Sequence, residues 1–151
     1  MNLEYEFTYR ATFKEGVEIG PGPFGRRIAV EVTGGSFEGK RLKGTLLGGG
    51  GDWILVGPDG FGRLDVRIQM RTDDGALIYL AYLGLLEMNA KVQQALATET
   101  AGTDWGDQYL RSAPRMESGD PRYAWLSQSL FVSEGRLLPG RVVEYRVYRV
   151  T

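Results

Sequence analysis

Acids, phenols and guanidinium groups are the side chains this chain has for chemistry. Among 151 residues there is no histidine and no cysteine. That removes the usual general base near neutral pH, the Ser-His-Asp triad, the cysteine nucleophile and thiolate or imidazole metal sites. Proton transfer must then fall to carboxylates and tyrosines, with arginine available to hold an anion or a developing oxyanion. The candidate bases are Asp52 and Asp65, and the candidate acids are Tyr109 and Tyr79. Arg67 and Arg111 are placed to grip a ligand carboxylate or carbonyl oxygen, and Trp53 and Trp125 to shape its pocket. Asp65 and Arg67 share one face of a strand, with their Cβ atoms about 7 Å apart. If they pair, the guanidinium lowers the Asp65 pKa, and a base working near pH 7 needs the opposite shift. A paired Asp65 therefore orients Arg67, and Asp52 is the better base.

Two motifs that suggest other chemistry fit turns better. Gly48-Gly-Gly-Gly51 lacks the following helix and Lys-Ser/Thr of a phosphate loop, and Asp52 beside it repels phosphate. Asp73-Asp-Gly75 lacks the further acids of a calcium loop and suits a hairpin turn. No cofactor or metal motif is visible. A net charge of −1 gives no general grip on nucleic acid or an anionic membrane. No apolar run approaches the ~20 residues that span a bilayer, and Met1–Glu6 does not read as a signal peptide. The expected location is the cytoplasm.

Strands must position these groups. Leu3, Tyr5, Phe7, Tyr9 and Phe13 alternate with polar residues, the period of a half-buried strand. Residues 18–25 are crowded with glycine and proline and read as a loop. Ile28, Val30 and Val32 mark a second strand, residues 42–47 a third and 53–56 a short fourth. From Arg63 to Arg71 the alternation is longest, with Leu64, Val66, Ile68 and Met70 opposite the charged residues. The charged face is either solvated or the polar wall of a pocket. An Asp-Gly turn at Asp74-Gly75 leads into an apolar strand over 76–83, making a hairpin. Helical spacing occurs once, over 87–98. Three further strands are expected over 108–117, 123–132 and 141–150.

With 42% hydrophobic and 25% charged residues, the chain reads as one globular domain over residues 1–151. Eight to ten antiparallel strands with one short helix predict a mostly β fold, closed into a barrel because closure removes unpaired edges. A two-sheet sandwich is the alternative. One helix cannot cover every apolar outer face, so a homodimer or homotrimer is expected.

Several strings in order resemble a known family: Gly22-Pro-Phe-Gly25, Val32-Thr-Gly-Gly-Ser-Phe-Glu-Gly39, Leu42-Lys-Gly-Thr45, Gly49-Gly-Gly-Asp-Trp53, Asp65-Val-Arg67, Arg71-Thr-Asp-Asp-Gly-Ala-Leu-Ile-Tyr79, Pro114-Arg-Met-Glu117 and Tyr123-Ala-Trp-Leu126. Together they resemble the domain of unknown function 3237 family across nearly the whole chain; residues 85–105 are the least family-like. The resemblance implies a single-domain β-barrel with a central cavity, similar to allene oxide cyclase and lipocalin-type barrels. It implies no reaction. The expectation is a cofactor-independent isomerase, cyclase or lyase acting on a small molecule; the alternative is a non-catalytic carrier or sensor. On either reading Asp65, Arg67, Tyr109, Arg111 and Trp125 should face one cavity, with Asp52 and Trp53 at its mouth.

Overall fold

The computed structural model describes residues 1–151. Ten strands form: β1 Leu3–Phe13, β2 Val17–Gly22, β3 Gly25–Gly39, β4 Lys43–Leu46, β5 Gly50–Val56, β6 Phe61–Thr72, β7 Leu77–Glu87, β8 Leu110–Ser118, β9 Phe131–Leu138 and β10 Val142–Val150. One helix, α1, spans Ala90–Ala97. The strands pair antiparallel in the order β1-β10-β9-β8-β7-β6-β4-β3, and β3 pairs back with β1. β4 and β5 share one position between β3 and β6. The result is a closed eight-stranded barrel, with β2 as an added hairpin partner of β3. Sandwich packing is thereby excluded.

Alternation decides which residues fill the barrel. On β6, Leu64, Val66, Ile68 and Met70 are all buried inside, while Arg63, Asp65, Arg67, Gln69 and Arg71 point outward. On β7, Ile78, Leu80, Tyr82 and Leu86 face in, and Leu77, Tyr79, Leu83 and Leu85 face out. The wall is thinnest in pairing between β8 and β9, where only Arg111↔Glu134 and Ser112↔Ser133 are in register. Pro114 on β8 has no N–H to extend that ladder.

Four local expectations are corrected. Residues 18–25 are largely strand, because β2 folds back on β3 as a hairpin. Leu3 and Tyr5 lie outside with 59% and 53% exposure, because a bulge between Tyr5 and Phe7 reverses the parity of β1. The bulged Glu6 is buried and accepts hydrogen bonds from Arg41 and Arg149. Residues 121–126 form a 3-10 turn rather than a strand, started by Asp120, whose side chain accepts from Arg122 N–H, and by Pro121 in the first turn. The helix begins later than its periodicity suggests, since β7 runs on to Glu87 and Asn89 caps α1 by accepting from Val92 N–H at 3.0 Å.

Candidate functional site

Every second residue of β5 faces inward, and Asp52 is one of them. It stands in a cavity of about 70 Å3 in which it is the single charged residue among sixteen. Ile54, Leu64, Val66 and Leu86 surround it from β5, β6 and β7, and Leu96 reaches in from α1. Val92 and Ala95 are buried on the same helix, so α1 covers this end of the barrel. The volume suits about two waters at liquid density.

Burial in apolar surroundings pushes the Asp52 carboxyl pKa up from its ordinary 3.8 to about 7. A backbone hydrogen bond, Asp65 N–H to Asp52 Oδ1 at 3.1 Å, opposes that rise. The nearby Asp65 charge adds to it. Asp52 is thus divided between its protonated and ionised forms near neutral pH.

Three tyrosines complete the interior. Tyr82 on β7 and Tyr145 on β10 line the cavity, and Tyr9 on β1 lies against Tyr145. The Tyr9 and Tyr145 rings stack with centroids 5.1 Å apart, and Tyr82 meets Tyr145 edge-on at 5.5 Å. Desolvation raises the pKa of all three phenols. They therefore stay protonated at neutral pH and can donate a hydrogen bond but cannot serve as bases. The Tyr9 hydroxyl is buried with no protein partner. Gly135 makes room for this cluster: a Cβ there would lie 2.6 Å from Leu110 Cδ2 and 2.7 Å from Tyr145 Cε1.

The other expected site residues lie elsewhere. Asp65 and Arg67 form an ion pair at 3.4 Å on the outer surface of β6, both about half exposed. Arg111 is also outside, beside Glu134 at 3.8 Å and over the Tyr109 ring. Tyr109 is 48% exposed and Tyr79 is 38% exposed on the outer wall. Trp53 projects outward, opposite in parity to Asp52. Trp125 belongs to the 3-10 turn, where Arg41 stacks on it at 3.6 Å. The shared cavity expected for Asp65, Arg67, Tyr109, Arg111 and Trp125 does not form, because the long β6 alternation puts its charges in solvent. No arginine or lysine lines the Asp52 cavity. No three carboxylates converge closely enough to hold a metal ion.

Sequence reasoning passed over Tyr82 and Tyr145 because each alternates with apolar neighbours and reads as core. The available signal was parity: Tyr82 falls in step with Ile78 and Leu80, and Tyr145 with Val143 and Val147. A phenol in such a row must find a partner for its hydroxyl or leave it unsatisfied.

Residues 1–150 match the family described as "Protein of unknown function (DUF3237)". A UPF0311 protein of Clostridium acetobutylicum is 30% identical over 152 residues, covering 100% of this chain and 95% of its own. A solved "beta-barrel like protein" from Acinetobacter baumannii superimposes with a TM-score of 0.83 at 33% identity, over 99% of this chain and 96% of that one. A structure described as "an enzyme from Penicillium herquei" gives a TM-score of 0.70 at 20% identity, over 97% and 93% of the two chains, a likeness of fold.

Proposed function

From the premise that this chain belongs to the DUF3237 family, we propose that it is a cofactor-independent enzyme that moves a proton on a small, uncharged organic molecule inside the barrel. The observation that carries this reading is Asp52: one carboxyl group alone among apolar residues, in a cavity that Tyr82 and Tyr145 also line, with its pKa pushed up to about 7 by that burial. A base poised near the ambient pH gives efficient proton transfer. Ionised Asp52 would take a proton from carbon next to a carbonyl. The electron pair left behind moves onto the carbonyl oxygen, and a neutral Tyr82 or Tyr145 hydroxyl donates to that oxygen. Return of the proton at another carbon is an isomerisation. Attack by the enolate within the same molecule is a cyclisation, and loss of a group from the neighbouring carbon is a lyase step.

An uncharged substrate fits because the cavity offers an anion no cation, and an ionised Asp52 repels carboxylates. A substrate larger than this cavity would enter by displacement of α1 and Leu96. The Penicillium relative supports an enzyme on this fold only in that it is described as one. The apolar lining favours a second reading, a carrier for a neutral ligand, which needs no ionisable Asp52.

Deuterium uptake separates the two. Small cyclic and aryl ketones incubated with protein in D2O are followed by proton NMR for loss of the α-hydrogen signal. The enzyme reading expects uptake above the buffer rate, falling by about a hundredfold or more in Asp52→Asn. No uptake with any ketone, together with unchanged ketone binding in Asp52→Asn, would establish the carrier.

A further inference from the structure

The β5–β6 ladder is open beside Asp52. Gly57 N–H donates to the Phe61 carbonyl at 3.0 Å, and that bond sets the phase of the ladder. In an antiparallel pair every second opposed couple exchanges hydrogen bonds. The couples in phase with Gly57–Phe61 are therefore Leu55–Arg63, Trp53–Asp65 and Gly51–Arg67. Leu55 and Gly51 are paired in register with Arg63 and Arg67, but Trp53 and Asp65 are not. Both groups released by the opening have other partners. The Asp65 N–H donates to Asp52 Oδ1 at 3.1 Å. The Trp53 carbonyl accepts from Arg27 Nη1 at 2.9 Å.

Arg27 lies on β3, opposite Leu55 and one strand away from Asp65. The Trp53 carbonyl is the one acceptor its guanidinium takes, and no carboxylate stands within ion-pair distance of it. A half-buried arginine committed to a carbonyl that the ladder would normally satisfy is an arrangement with a consequence for Asp52. We propose that Arg27 is a positioning residue for Asp52: by holding the Trp53 carbonyl it leaves the Asp65 N–H to fix the Asp52 carboxylate toward the barrel cavity. The proposal rests on the reading of Asp52 as the working base and deepens it. Arg27 itself touches no substrate. Its effect passes through two backbone groups, the Trp53 carbonyl and the Asp65 N–H; the N–H holds one carboxylate oxygen and leaves the other to face the ligand.

A pH titration by NMR on the full chain tests this without any substrate. The Asp52 carboxyl carbon reports its ionisation, and the Asp65 amide reports the hydrogen bond. The other titratable groups around Asp52 are Asp65 on β6, Tyr82 on β7, Tyr145 on β10 and Tyr9 on β1, and none is altered by the variants. In the wild type the Asp65 amide shift should follow pH with the same midpoint as the Asp52 carboxyl. In Arg27→Met the amide should return to the Trp53 carbonyl and lose that dependence. The Asp52 midpoint should then rise by about one pH unit, since a donor to the charged form is gone. Arg27→Lys can still donate to the carbonyl and should keep both wild-type signatures. If Arg27→Met fails to fold, Arg27→Gln, too short to reach the carbonyl, takes its place in the comparison. An Asp65 amide still coupled to Asp52, with an unmoved midpoint, in the Met or Gln variant overturns the proposal. Absence of ketone deuteration with the Arg27 effect intact overturns the enzyme reading and leaves the positioning role standing.

Discussion

Replacing Asp52 by asparagine should stabilise the protein, and the gain should depend on pH in a defined way. The folded-state pKa of about 7 lies roughly three pH units above the ordinary 3.8. At 1.36 kcal/mol per unit, the folded state disfavours an ionised Asp52 by about 4 kcal/mol. Between pH 3.8 and 7 the folded chain holds this proton and the unfolded chain has lost it. Stability from this group is therefore complete below pH 3.8, falls as pH rises through that window, and levels off above 7. Asparagine keeps an oxygen for the Asp65 N–H and carries no charge at any pH. The difference in unfolding free energy, variant minus wild type, should grow by about 1.4 kcal/mol per pH unit and flatten above pH 7 near 4 kcal/mol. Urea unfolding of both proteins at pH 5, 6, 7 and 8, followed by circular dichroism, gives that difference directly. Taking it between the two proteins cancels every other titrating group. A difference that does not vary between pH 5 and 8 would refute the premise that Asp52 is desolvated, and the proposed base would lose its poise with it.

Two further outcomes test the outer wall. Glu144 is buried on β10 between Arg10 and Arg136; burial alone would raise its pKa, but hydrogen bonds from the two arginines hold it below the ordinary value. Its contribution is complete above the unfolded value of 4.5 and is lost as pH falls below it. At pH 7 Glu144→Gln should destabilise the barrel by about 3 kcal/mol in urea unfolding, because Arg10 loses its carboxylate partner and Arg136 keeps only the exposed Asp104; a loss under 1 kcal/mol would show the cluster to be solvent-screened. Elsewhere on the outer wall, Leu83 is 69% exposed beside Leu85 and Val132, and we expect this face to join copies of the chain. Light scattering should show a dimer or trimer for the wild type at micromolar concentration and a smaller species for Leu83→Glu; a wild-type monomer would end that expectation.

The barrel was legible in the sequence because alternation is a local property. Leu64, Val66, Ile68 and Met70 had to be covered by something apolar, and eight to ten such segments with short turns leave few ways to hide strand edges. The pairing of Asp65 with Arg67 was legible for a similar reason, since residues 65 and 67 share a strand face. What alternation could not say was which face of β6 looked into the barrel. Both rows were candidates until closure put Leu64, Val66, Ile68 and Met70 inside and left Arg67 in water. Arg111 on β8, and Tyr109 just before it, followed it outward. The bulge near Glu6 was equally hidden, because one extra residue reverses a strand's parity without altering its composition. The sequence by itself determined the material: strands, one helix, and acid–base groups limited to carboxylates and phenols. Tertiary structure alone decided that Asp52, Tyr82 and Tyr145, from strands far apart in the chain, line one mostly apolar cavity, and that Arg27 on a fourth strand takes the carbonyl released beside Asp52. A carboxylate acquires a pKa of about 7 only from what surrounds it, and those surroundings exist only once the sheet has closed on itself.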